Sequence, residues 1–224
     1  MFDHDPKLVI FDCDGVLVDS EPISLAVMIE ALKAHGCELS EEDGYRHLLG
    51  RSLTSNAEWL RSERGFAMSP TLLSDMRARL FARFRAELEP VSNADLVLKA
   101  LDVPMCVASS SNLDRVRLSL TVTGLSYHFE PHVFSAQMVE RGKPAPDLFR
   151  HAARAMGVAP EDCLVVEDSP SGIQAARAAG MRVIGFVGGS HAGPAHLRSA
   201  VTAAAPDAII DDMTDMLDLL PLRV

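Results

Sequence analysis

Three aspartates, Asp12, Asp14 and Asp19, follow directly on the oily run Leu8, Val9, Ile10, Phe11 in the stretch FDCDGVLVDSE. Like charges repel and carboxylates resist burial, so this spacing costs free energy unless something offsets it. Other groups capable of chemistry stand after other apolar runs: Ser109, Ser110, Ser111 and Asn112 after MCVA, Lys143 in RGKPAPD, and Glu167 with Asp168 after CLVV. Each alone has a plain structural reading, as an Asp in a turn, a Ser or Asn capping a helix, or a solvated lysine. Together they form an ordered set of acid pair, hydroxyl cluster, ammonium and second acid pair.

The elements that must position this set are legible in the same pattern. LVIF (8–11), MCVAS (105–109), HVFSA (132–136), CLVVED (163–168), RVIGFV (182–187) and AIID (208–211) are continuous apolar runs rather than alternating ones. Strands covered on both faces of a parallel sheet read this way. Between them lie helical segments. SPSGIQAARAAG carries Ser169 as N-cap, Pro170 at the first helical position and Gly180 past the end. PDLFRHAARAMG puts Leu148, Phe149, Ala152, Ala153 and Met156 on one face, with Gly157 closing it. This alternation predicts an α/β fold with a doubly wound parallel-sheet core and right-handed crossovers. Ligands bind such sheets at the carboxyl ends of the strands, which is where all four groups fall.

The alternation breaks between Ser20 and Ser92. Leu25, Met28, Ile29 and Leu32 follow helical spacing up to Gly36, and Leu73, Met76, Leu80, Phe84 and Leu88 do the same. A crossover needs only about a dozen residues, so this stretch is an inserted all-helical domain. The expected organisation is a core of residues 1–19 and 93–224 with a helical cap of residues 20–92.

The 224 residues carry a net charge of −10, and 48% are hydrophobic. No apolar run approaches the roughly 20 residues that span a bilayer, and the acidic, polar start MFDHDPK does not read as a secretory leader. A soluble, cytoplasmic, monomeric protein is expected. Its charge suits neither a nucleic-acid backbone nor an anionic membrane, and leaves small anionic molecules open. Cys13, Cys37, Cys106 and Cys163 have no metal-binding or CxxC spacing and read as small buried thiols of a reducing compartment.

DCDGVLVDSE, the strand-end ASSS, GKPAPD and VEDSPSGIQAARAAGM stand in an order and spacing that resembles the haloacid dehalogenase superfamily over nearly the whole chain. The helical insert resembles the C1 cap of its β-phosphoglucomutase-like branch. The resemblance implies that Asp12 is a nucleophile forming an aspartyl-phosphate, and that Asp14 is general acid and then base. A spacing of two puts both on one side of an extended strand. It implies Mg²⁺ on the Asp12 and Asp168 carboxylates and the Asp14 backbone carbonyl, with Glu167 a ligand through water or an acceptor behind the ligands. Ser109, the amides of Ser110 and Cys13, and Asn112 would hold phosphate oxygens. Lys143 would neutralise phosphate charge and orient Asp12. Arg51, after Gly50 in the cap, is the residue expected to meet the substrate body. Ser111 or Asn112 is expected to cap the helix after the second strand. Asp19 is expected to serve Ser20 or the first cap helix, and His191, in GGSH, to be an idle loop histidine.

The activity so implied is Mg²⁺-dependent hydrolysis of a small phosphorylated metabolite, a sugar or sugar-acid phosphate. Asp14 argues against a dehalogenase, which lacks that acid, and against a phosphonatase, which replaces it with alanine. A β-phosphoglucomutase-like mutase would carry a histidine where Ser24 stands. A phospho-receiver signalling domain takes its acidic pair and its nucleophile from different strands and has no such insert.

Overall fold

The computed structural model describes residues 5–49, 53–193 and 196–222. The chain divides into two units, residues 20–88 and residues 1–19 with 89–224.

The unit of residues 20–88 is helical: α1 (Glu21–Ala34), α2 (Glu41–His47), α3 (Leu53–Arg64) and α4 (Pro70–Glu87). Ser40 and Ser69 start α2 and α4 by accepting the Asp43 and Leu72 backbone N–H groups, each at 3.1 Å. Leu25, Leu32, Leu48, Leu60 and Leu72 form its buried core, flanked by Met28, Ile29, Trp59 and Met76. The inward stripe of α4 therefore begins at Leu72 rather than Leu73. Arg46 pairs with Glu42 and Arg64 with Asp43, both within this unit. Arg51 lies outside the described residues.

The other unit is a six-stranded, all-parallel sheet of β1 (Leu8–Phe11), β2 (Met105–Ser109), β3 (Val133–Ser135), β4 (Cys163–Glu167), β5 (Arg182–Phe186) and β6 (Ala208–Ile210). The order is β3-β2-β1-β4-β5-β6. Helices α5 (Ala94–Ala100), α6 (Leu113–Val122), α7 (Asp147–Ala155), α8 (Pro170–Ala179) and α9 (Leu197–Ala203) connect the strands. Leu8 and Ile10 join Cys106, Ala108, Cys163 and Val165 in a core with Leu148, Phe149, Ile173 and Ala176 from α7 and α8. Val9 and Phe11 are equally buried on the other face, where Phe11 meets Phe129 edge-on at 6.0 Å. Covering both faces is what made the strands continuously apolar.

The chain winds from β1 through β2 to β3 and then crosses back to β4 on the other side of β1, so the carboxyl end of β1 is the topological switch point where such sheets bind ligands. β1 stops at Phe11. Asp12 still sits in register, its N–H donating to Val166 O at 2.9 Å, but the chain then turns, with Leu17 N–H on Cys13 O. Asp12 and Asp14 therefore do not share an extended strand. The return from the helical unit falls at 88/89 rather than 92/93. Asp19 N–H donates to Glu89 O and Val91 N–H to Leu17 O, tying residues 89–91 to the loop after β1.

Candidate active site

Four strand ends build the site. Asp12 follows β1 and is 7% exposed. The Lys143 side chain, 2% exposed, places Nζ 2.6 Å from Asp12 Oδ1 and 2.6 Å from Glu167 Oε1. Its ammonium also lies 4.8 Å over the Phe149 ring, so the apolar face of α7 supports it from below. The loop carrying it is anchored by Arg141, which grips both oxygens of Asp147. Burial works against the charge of Lys143, but Asp12 and Glu167 outweigh it and hold the ammonium above its ordinary value. Burial, with Glu167, Asp168 and Asp14 nearby, pushes Asp12 well up against the pull of Lys143.

Glu167 ends β4 and is 1% exposed. Its Oε1 takes Lys143, while Oε2 accepts from Ser169 N–H at 2.8 Å and Ser169 Oγ at 2.9 Å. It fits only because residue 172 is glycine, since a Cβ there would stand 1.8 Å from Oε1. Both of its oxygens are thus engaged by protein donors, which makes Glu167 an acceptor for Lys143 rather than an open ligand. Asp168 is buried beside it and raised by that burial, against the pull of His191.

Asp14 has its own partners. Arg115 Nη2 donates to Oδ1 at 2.7 Å and Ser111 Oγ to Oδ2 at 2.7 Å. Ser111 is consequently no helix cap; Asn112 stands at the N-cap of α6 as expected, but its side chain makes no cap bond. The acceptor at the start of α6 is Gln137, whose Oε1 takes the Leu113 N–H at 3.0 Å. Ser109, buried at the end of β2, accepts the Ser111 N–H at 3.0 Å, whereas Ser110 and Asn112 are exposed on the rim. Cys13 is fully buried and its thiol is pushed well up by burial and then by Asp14 and Asp12, which removes it as a nucleophile.

Two residues differ from their sequence reading. His191 is 3% exposed, and its Nε2 lies 3.2 Å from Asp168 Oδ2. The approach needs Gly15, at φ +78°, where a Cβ would fall 2.0 Å from that same oxygen. Asp19 accepts the Ser190 N–H at 3.2 Å and so holds the turn carrying His191. Arg115, in the first turn of α6, gave no signal by itself.

Asp12, Asp14, Glu167 and Asp168 face Lys143 and Arg115, which leaves two formal negative charges in a largely buried site. Among the described residues no three His, Cys, Asp or Glu side chains make a ready metal cage. Asp12 and Asp168, close enough for the charge of Asp168 to raise the Asp12 carboxyl, offer hard carboxylate oxygens. They fit a divalent cation that keeps most of its waters. This set can transfer a phosphoryl group: a buried carboxylate held by a cation, a second acid with separate partners, and a hydroxyl and amide rim.

Residues 6–180 match the family model for haloacid dehalogenase-like hydrolases. The 6-phosphogluconate phosphatase of Escherichia coli is 34% identical over 189 residues, covering 84% of this chain and 86% of that protein. A haloacid dehalogenase-like protein of Agrobacterium tumefaciens superposes with a TM-score of 0.82 at 38% identity, over 95% of this chain and 96% of that one. A family hydrolase from Deinococcus radiodurans, solved with phosphate and sodium bound, gives 0.77 at 30% identity over 96% and 94%.

Proposed function

The chain belongs to the haloacid dehalogenase-like hydrolases and is a phosphoric monoester hydrolase; from that premise we propose that it hydrolyses a sugar or sugar-acid phosphate through an aspartyl-phosphate on Asp12. One observation carries this reading. Lys143 crosses 131 positions of chain to bond Asp12 at 2.6 Å, with Asp168 near enough to feel its charge.

Lys143 occupies Oδ1 of Asp12 and directs Oδ2 toward phosphorus. As the Oδ2–P bond forms, the bond from phosphorus to the bridging oxygen breaks. Its electron pair stays on that oxygen, which takes a proton from Asp14 and departs as the alcohol. Water then attacks phosphorus and gives a proton to Asp14. The Asp12–phosphorus bond breaks, restoring the carboxylate and releasing inorganic phosphate. Ser109 Oγ and the amides of Ser110 and Cys13 would hold the non-bridging oxygens, and Lys143 would balance their charge. Mg²⁺, held by Asp12, Asp168 and the Asp14 carbonyl, would supply positive charge beside the phosphoryl group.

The relative that hydrolyses 6-phosphogluconate supports a sugar-acid phosphate as the first substrate to try. Hydrolysis is favoured over mutase chemistry because Ser24, where the mutases place a histidine, donates its Oγ to Ser20 O at 2.8 Å within its own helix. The test is phosphate release from a panel of phosphorylated sugars and sugar acids with Mg²⁺, beside conversion of glucose 1-phosphate to glucose 6-phosphate. Release without interconversion is expected, and interconversion faster than release would reverse the assignment.

A further inference from the structure

Asp12 and Asp14 are two residues apart yet answer to different cations, one to Lys143 and the other to Arg115. The Arg115 and Asp14 side chains are 23% and 11% exposed, so their 2.7 Å contact is mostly shielded from water. A charge-assisted bond of this kind is among the stronger polar contacts a protein makes. Ser111 bonds the other oxygen, and Ser111 is itself fixed: its N–H donates to Ser109 Oγ, and its carbonyl accepts Ser135 Oγ at 2.6 Å. Gln137 holds the first turn of α6 through the Leu113 N–H. The two donors to Asp14 thus come from one braced platform at the end of β2. Asp14 lies beyond the end of β1, in a turn bridged to Val18.

We infer that Arg115 is a positioning residue for proton transfer by Asp14. It anchors Oδ1 permanently, because a guanidinium keeps its charge at all working pH values, and so dedicates Oδ2 to the leaving oxygen. The Ser111 hydroxyl yields that oxygen at little cost, since it rotates and can donate or accept. This assignment rests on the phosphatase reading and adds to it the residue that aims the acid.

The test uses two substrates that differ in their need for an acid. A nitrophenolate leaves without a proton, whereas a sugar alkoxide needs one. Parent protein, Arg115→Ala and Arg115→Lys are compared by kcat/KM on p-nitrophenyl phosphate and on the sugar or sugar-acid phosphate the parent hydrolyses best. General acid catalysis contributes about 10²–10⁴-fold. Arg115→Ala is therefore expected to lower kcat/KM at least about 30-fold on the sugar phosphate and less than about 3-fold on the nitrophenyl ester. Arg115→Lys is expected to recover part of the loss on the sugar phosphate alone. If Arg115→Ala does not fold, the same split is read from Arg115→Lys against the parent. Equal losses on both substrates, or no loss on either, would overturn the assignment. A parent inactive on every phosphate ester would remove the phosphatase reading and this inference with it, whereas an active parent with an indifferent variant removes the inference alone.

Discussion

Replacing Lys143 by Met removes the cation that sits between Asp12 and Glu167 while keeping its volume and most of its apolar stem. The three side chains are 2%, 10% and 1% exposed, and both contacts are 2.6 Å. The variant leaves Asp12, Glu167 and Asp168 buried together with no ammonium. Removing one partner of a buried pair typically costs about 3–5 kcal/mol, because the remaining charge is uncompensated. For a chain of this size each kcal/mol moves Tm by about 2–4 °C, so a drop of about 6–20 °C is expected in EDTA. The sign of the pH effect follows from Asp12. Burial already pushes that carboxyl up in the folded protein, and the variant loses the Lys143 pull that lowers it. The folded variant then keeps a proton that the unfolded chain, with a carboxylate near about 3.9, has released. Its stability relative to the parent therefore rises as pH falls toward the ordinary carboxylate value, and the Tm gap between the two narrows in the same direction. Adding Glu167→Gln removes one of the stranded charges and should recover part of the lost stability. Thermal unfolding by circular dichroism reads all of this. A single variant melting within about 2 °C of the parent, with no pH dependence in the gap, would refute the reasoning.

Gly172→Ala forces a Cβ to within 1.8 Å of the Glu167 carboxylate and is expected to cost about 1–3 kcal/mol by overpacking; unchanged thermal unfolding would contradict that packing. His191→Ala frees Asp168 Oδ2 from its 3.2 Å neighbour and is expected to weaken Mg²⁺ binding about 10–100-fold, the usual effect of removing a group that orients a ligand. Calorimetric titration with Mg²⁺ alone reads this, and an unaltered Kd would leave His191 without that role. All four cysteines are free and buried, and burial pushes the Cys163 thiol to about 11. A thiol reagent at about pH 8 should find almost none in the native protein and all four after guanidinium denaturation; rapid native labelling would be inconsistent with the packing.

The sheet was readable from sequence because burial on both faces leaves short, continuous, β-branched apolar runs bounded by polar turns. Asp12 and Asp168 were readable because each follows such a run, where a parallel sheet must place it, and Lys143 because its loop GKPAPD follows the third run in an order that resembles the family's. Arg115 was not, since an arginine on a helix is usually solvated and its pairing with the Asp14 carboxylate, 101 positions away, leaves no local trace. His191 hid for a similar reason: its burial depends on Gly15 and Gly189 giving way to its ring, a contact between distant loops. Ser111 misled because its local chemistry fits a cap equally well, and a long-range carboxylate won. Leu72 displaced Leu73 because the spacing of a long helix with several apolar residues admits two neighbouring stripes, and packing against α1 chooses between them.

The central claim is a phosphoryl group carried covalently by Asp12. Rapid acid quench of the Mg²⁺-loaded protein with a turned-over phosphate ester, followed by peptide mapping, measures it directly. Phosphate is expected on the peptide containing Asp12, released by hydroxylamine and absent from Asp12→Asn. Full turnover with no label on that peptide at any quench time, or an Asp12→Asn variant that turns over at the parent rate, would contradict it.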